Sequence, residues 1–164
     1  MDRSPALDEK FLRRSFEVAR HAREHGNHPF GAVLVSGLGQ VLLEVENGVL
    51  PDHDLTAHAE RLLATQASKQ FASNVLSNCT LYSSAEPCAM CAGAIYWAGI
   101  GRVVYGLSEQ RLKSKIAAHA ENPTLDLPCR IVFSAGQHPV EVIGPLLEDE
   151  AAAIHFGAWH SGNE

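Results

Sequence analysis

No run of apolar residues in this 164-residue sequence approaches the roughly 18–20 needed to span a bilayer. The opening residues, Met1-Asp2-Arg3-Ser4-Pro5, lead into a charged pattern with no apolar signal core, so the expected location is cytoplasmic, with no membrane partner. Internal repeats, low-complexity tracts and linkers are missing, and one domain over residues 1–164 is expected. Basic residues are in deficit: 13 Lys plus Arg face 19 Asp plus Glu, a net charge of −6. From Ser134 to Glu164 there is no Lys or Arg at all, while Glu141, Glu148, Asp149, Glu150 and Glu164 leave that stretch at −5. Such a chain is not built to coat a polyanion, and the acidic end repels phosphate backbones. Arg102, Arg111, Lys113 and Lys115 form the one basic cluster near the motifs described below. The four cysteines do not suggest a disulfide framework in a chain of this size without a secretory signal. What remains is ordinary: 46% hydrophobic and 20% charged residues exclude disordered, collagen-like and coiled-coil classes.

Residues 7–24 have apolar positions near helical spacing and arginines outside, with Gly26 and Pro29 as stop signals. Residues 31–36 predict a buried strand, the Gly37-Leu38-Gly39 turn follows, and residues 40–46 predict its hairpin partner. Helices are expected over 57–71, over 88–98 with Pro87 in the first turn, and over 146–159. Residues 108–119 suit a short helix, and strands are expected over 80–84, 102–106 and 129–133. This alternation predicts a layered α/β domain with a mixed sheet.

Two short motifs carry chemistry, Thr56-Ala57-His58-Ala59-Glu60 and Glu86-Pro87-Cys88-Ala89-Met90-Cys91, each at a predicted helix N-terminus. His58, Cys88 and Cys91 are one imidazole and two thiols, good zinc ligands. Three residues separate the cysteines, so they share one helix face, and a helix N-terminus favours thiolate. Three protein ligands leave a fourth position open, which marks catalytic zinc, and water bound there ionises near pH 7. Glu60 lies two residues past His58, placed to move the water's proton to a substrate. Two other readings use the same cysteines: a structural zinc knuckle with Cys79 or Cys129 as fourth ligand, and a redox Cys-x-x-Cys pair. Both leave Glu60 without a task.

His-x-Glu followed by Pro-Cys-x-x-Cys resembles the zinc-dependent cytidine-deaminase-like superfamily. The resemblance runs clearly from Pro29 to Gly106 and more loosely to Trp159, and is nearest the purine branch of guanine deaminases and tRNA adenosine deaminases. Pro29-Phe30 and Gly93-Ala94-Ile95-Tyr96-Trp97-Ala98 are similar to the guanine-deaminase side. The resemblance implies a three-layer α/β/α sandwich on a five-stranded mixed sheet, usually a homodimer, with Zn2+ on His58, Cys88 and Cys91 and Glu60 as catalytic proton carrier. It implies substrate binding by Asn47, eleven residues before His58, with the backbone N–H of Ala59 and of Cys88 near the reacting centre. It also implies that the segment ending in Trp159 closes over the site. The implied activity is hydrolytic deamination of a purine base or nucleoside, guanine-like first. A tRNA wobble-adenosine deaminase and a cytosine-type deaminase are the alternatives. The sequence departs from the family pattern at Leu55, where many relatives carry proline, and at Ala85 before Glu86-Pro87.

Other residues have two readings. Asn47-Gly48 is an ordinary turn dipeptide as well as a family match. Phe30 suits a pocket wall or the core, Trp97 the core, and Phe156 and Trp159 a stacking surface or an aromatic anchor. Glu109, His119 and Glu121 read as solvated surface.

Overall fold

A computed structural model describes residues 3–116 and 123–159. Helix α1 (Pro5–Glu24) is started by Ser4, whose hydroxyl accepts from the Leu7 N–H. Strands β1 (Gly31–Val35) and β2 (Val41–Glu46) form the expected hairpin. Then follow α2 (Ala59–Gln70), the short α3 (Ser73–Leu76), β3 (Thr80–Ala85), α4 (Ala89–Ala98) and β4 (Arg102–Leu107). The chain continues through α5 (Glu109–Ile116), α6 (Cys129–Ser134), β5 (Glu141–Ile143) and α7 (Glu148–Ala153). None of the described helices is long and apolar enough to cross a membrane.

The five strands form one mixed sheet in the order β2-β1-β3-β4-β5. β1 runs antiparallel to both neighbours, whereas β3, β4 and β5 are parallel. β2 and β3 therefore point the same way, and the connections through α2, α4 and α6 are three successive crossovers in one direction. Right-handed crossovers of one sense fall on one face. There α2, α4 and α6 cover Ala32, Leu34, Leu81, Val103 and Tyr105. On the other face α1 and α7 cover Val33, Val35, Tyr82 and Val104. The alternation of β1 and β3 between the two clusters is the period of a strand buried on both sides, and explains why β1 reads as an unbroken apolar run. The result is the expected α/β/α sandwich.

The layers meet closely at glycine. A side chain at Gly31 would strike the α1 backbone at Ser15 and Ala19, so this position admits no Cβ. A second seam is ionic. Arg102 of β4 gives two 2.7 Å bonds to Asp8 of α1, Tyr82 donates to the same carboxylate at 2.9 Å, and both charged side chains are buried.

Several expectations need correction. Residues 129–133 are not the fifth strand but the helix α6, and the edge strand is β5. Cys129 and Phe133 bury one helical face, and Glu86 takes the Cys129 N–H at 2.9 Å. The last helix covers only six of residues 146–159: Leu147 at φ 52 is its N-cap, and it ends at Ala153 with Ile154 as C-cap. Pro87 precedes the N-cap Cys88 and lies outside the helix. Trp97 is 85% exposed, since α4 buries Cys91, Ala92 and Ile95 on the opposite side. The basic cluster is largely spent internally: Arg102 on Asp8 and Glu141, Arg111 on Glu148 and Asp149, Lys113 on Asp126.

Removing one partner of a buried ion pair leaves the other charge uncompensated, at a cost of about 3–5 kcal/mol. Asp8→Ala should lower unfolding free energy by that amount in urea titrations. The double variant Asp8→Leu with Arg102→Met should lose much less.

Candidate active site

His58 and Cys88 occupy equivalent places: each is the N-cap of its helix, and neither side chain makes a capping hydrogen bond. Both side chains point away from their helices toward a common point. His58 Nδ1 lies 3.6 Å from Cys88 Sγ and 3.5 Å from Cys91 Sγ. All three ligand atoms fall within 4.8 Å of one another. Zinc with Zn–S near 2.3 Å and Zn–N near 2.0–2.1 Å in tetrahedral geometry requires an S···N separation of about 3.6 Å. The spacing matches, so these residues fit the ion. Among the described residues they are the one such group, and Cys79 and Cys129 are not part of it. All four cysteines are free thiols, and Cys79 instead donates to the Val75 carbonyl. The structural knuckle with a fourth cysteine is thus not formed.

The electrostatics agree with a cation site. The hydrogen bond from Cys91, with His58 beside it, pushes the Cys88 thiol down to about 4. The hydrogen bond to Cys88 and burial push Cys91 up. One sulfur ionises readily and its charge holds back the other, a conflict that a divalent cation removes. Cys88 in turn raises the proton affinity of His58.

Glu60 is 4% exposed and faces the same point from the first turn of α2. Burial pushes its carboxyl above the ordinary range, and the Ser83 hydroxyl, 2.6 Å from Oε1, pulls it back. Ala59 opens α2, so its N–H is among the first-turn amides left without an intrahelical partner. The loop before α2 is strapped down. Gly48 N–H donates to Ala57, Asp54 accepts from Thr56, and Arg61 reaches the Thr56 carbonyl at 2.6 Å.

Asn47 satisfies the turn reading and is buried as well. Its Oδ1 accepts from the Val49 N–H at 3.3 Å, and its own N–H donates to the Phe30 carbonyl. Phe30 is half-buried against an aromatic group, with ring centroids 5.2 Å from His155 and 6.0 Å from Trp159. Trp159 stacks on His28 at 4.2 Å and donates its indole N–H to His155 Nδ1. Arg23 holds this segment through the carbonyls of Ile154 and Phe156, while the Phe156 ring is 87% exposed and stacks on nothing described.

Glu109 is not solvated surface. It is 93% buried by its 7% exposure, its Oε1 accepts from Leu125 N–H, and its N–H donates to Glu86. Burial pushes its carboxyl up to about 7. His119 and Glu121 lie outside the described residues. Sequence reading did not single out Ser83, and it assigned no role to Glu86 of the second motif or to His155. Ser83 was accessible to it, because strand alternation puts residue 83 on the same face as Leu81, beneath the helix that carries Glu60.

The model of the cytidine and deoxycytidylate deaminase zinc-binding region matches residues 5–107. A Schizosaccharomyces pombe protein named probable cytosine deaminase is 42% identical over 162 residues, 97% of this chain and 98% of its own. A guanine deaminase of Bacillus subtilis is 43% identical over 98 residues, 59% of this chain and 62% of that one. Proteins named tRNA-specific adenosine deaminase also match. Among solved structures, a point mutant of NE0047 in complex with 8-azaguanine superposes with a TM-score of 0.74 at 26% identity, over 90% of this chain and 82% of that one.

Elemental analysis should find one zinc per chain, and Cys88→Ser or Cys91→Ser should leave almost none. Chelation should lower Tm, since a ligand bound only by the folded state stabilises it. A second outcome concerns pH. Burial pushes the His155 imidazole down to about 4 from 6.5. Its neutral form is the native one, so this stabilisation is complete above pH 6.5 and drains as pH falls toward 4. Wild type should lose up to about 3 kcal/mol across that window in urea titrations, and His155→Gln should lose far less.

Proposed function

Since the chain belongs to the zinc-binding cytidine and deoxycytidylate deaminase family and is a zinc-dependent hydrolytic deaminase, we propose that it deaminates a free amino-nucleobase, cytosine first and guanine second. The observation that carries this order is the match to the probable cytosine deaminase, which covers 97% of this chain and 98% of that one, whereas the match to the guanine deaminase covers 59% and 62%. The complex of the NE0047 mutant with 8-azaguanine supports the guanine reading favoured by the motifs alone. A tRNA substrate is disfavoured, because phosphate contacts need free cations and Arg102, Arg111 and Lys113 are engaged with carboxylates.

Residues 1–164 act in this reading as one catalytic domain. His58, Cys88 and Cys91 hold zinc, which when bound supplies a water that ionises near neutral pH. Glu60 would accept one proton of that water and deliver it to the ring nitrogen, then take the proton of the added hydroxyl as the carbonyl forms and pass it to the departing amine. One water is consumed, the exocyclic C–N bond breaks, a carbonyl forms and ammonia leaves. Asn47, its Oδ1 held by the turn, offers its amide NH2 to a ring acceptor. The Ala59 N–H lines the reacting centre, and Phe30 and Trp159 form an aromatic wall against which a planar base can stack. Trp97 at 85% exposure gives α4 an apolar surface suited to a second copy, in keeping with a homodimer.

Ammonia release should be measured from cytosine, guanine, adenine, their nucleosides and unmodified tRNA. Release from a free base is expected, and Glu60→Gln should lower kcat by about 10²–10⁴-fold while retaining zinc. Release from tRNA alone would overturn the proposal.

A further inference from the structure

The bonds that hold the loop between β2 and α2 are of two kinds. Gly48 N–H donates to the Ala57 carbonyl at 2.9 Å, and Asp54 N–H to the Val49 carbonyl at 3.1 Å. Both lie within the loop, so they fix its shape and not its place. The end of α1 supplies bonds from outside. His25 Nδ1 lies 2.8 Å from Glu46 Oε2. Asn27 pairs with both backbone groups of Leu50: its Oδ1 accepts from the Leu50 N–H at 2.8 Å, and its Nδ2 donates to the Leu50 carbonyl at 3.4 Å. Turning that amide over would set NH2 against N–H and oxygen against oxygen, so one orientation alone makes both bonds. The anchor is itself fixed. Gly26, at φ 87, ends α1 by donating to the Arg23 carbonyl, and Asn27 N–H donates to the Ala22 carbonyl at 2.9 Å. Glu46 and Leu50 flank Asn47, one residue before it and three after.

We propose that Asn27 is a positioning residue for substrate binding, whose amide pair with Leu50 fixes the stretch of backbone that orients the Asn47 side chain. The inference rests on the reading of Asn47 as a substrate contact. The link between the two is short. Asn47 is buried, and its Oδ1 accepts from the Val49 N–H at 3.3 Å, a turn that leaves the NH2 as the group able to face a ring acceptor. The Val49 N–H belongs to the peptide unit that joins residues 48 and 49. On one side of it Gly48 is tied to Ala57, and on the other Leu50 is tied to Asn27. With the second tie gone, the Val49 N–H can swing away from Asn47 Oδ1. The Asn47 amide is then free to turn about its last torsion and present oxygen in place of NH2, and an oxygen repels a ring acceptor. That loss falls on the bound substrate and the transition state alike, so it raises KM and leaves kcat little changed. His58, at the far end of the loop, is held separately by the start of α2 and by Arg61 on the Thr56 carbonyl. Zinc binding therefore does not depend on Asn27.

The test is a double-mutant cycle on the zinc-loaded full chain: wild type, Asn27→Ala, Asn47→Ala and the two together. Asn27→Asp, which keeps the acceptor for the Leu50 N–H but sets a charge against the Leu50 carbonyl, replaces Asn27→Ala if that variant does not hold zinc. Asn27→Ala should raise KM by about 3- to 10-fold, with kcat within about twofold of wild type and zinc content unchanged. In the Asn47→Ala background the same substitution should move KM by less than about twofold, because the group it orients is gone. A purely structural role would give equal fold-changes in the two backgrounds. That result overturns the inference, as does an unchanged KM in Asn27→Ala, and both leave the deaminase reading intact. Amide hydrogen exchange gives a readout that needs no substrate. The Val49 amide should exchange about 10-fold faster in Asn27→Ala, with the amides of β3 as in wild type. If wild type releases ammonia from no substrate, the proposed function fails, and unchanged exchange at Val49 then separately overturns the role of Asn27.

Discussion

Two helices must begin at the same point in space, and most of the architecture serves that requirement. His58 and Cys88 each sit where a helix normally places Ser, Thr, Asp or Asn, and each forgoes the capping bond, worth about 0.5–2 kcal/mol. The side chains are turned toward each other instead. That is possible because the connections from β2 to β3 and from β3 to β4 run in one direction and so deposit α2 and α4 side by side. Reversing β3 alone would start α4 at the opposite end of the sheet from α2. The parallel part of the sheet is therefore a condition for the metal group and not a neutral scaffold beneath it.

The chemistry of the site was legible because it depends on residue types at short spacing. Histidine two places before glutamate, and two cysteines three apart after proline, need no knowledge of the sheet. The fold class followed from the alternation of element types. What failed depended on context. Residues 129–133 look like a strand until Glu86 takes the Cys129 N–H and a helical face is buried. Glu109 looks like surface until Leu125 and Glu86 enclose it. Arg102 looks like part of a cationic patch until its partner is found in α1, 94 residues earlier. Each misreading concerns a polar group whose partner is remote in sequence, and local pattern carries no information about such pairings.

The acidic composition also takes on a definite meaning. Buried carboxylates are distributed by task. Asp8 compensates a cation, Glu86 caps backbone amides of two other segments, and Glu60 faces the metal group. Those that neutralise arginine or lysine at the surface leave little free positive charge around the site.

The Asp8–Arg102 seam also bears on the order in which this chain can be assembled as it leaves a ribosome. Helix α1 is made first, and nothing within its own span neutralises Asp8. Seating it on the sheet before residue 102 has emerged would bury a carboxylate without its cation. The His58 and Cys88 segments lie between these two residues, so both motifs are already synthesised when the first helix acquires its full reason to dock. Closure of the α1 layer is in that sense a signal that the segment carrying the chemistry is complete.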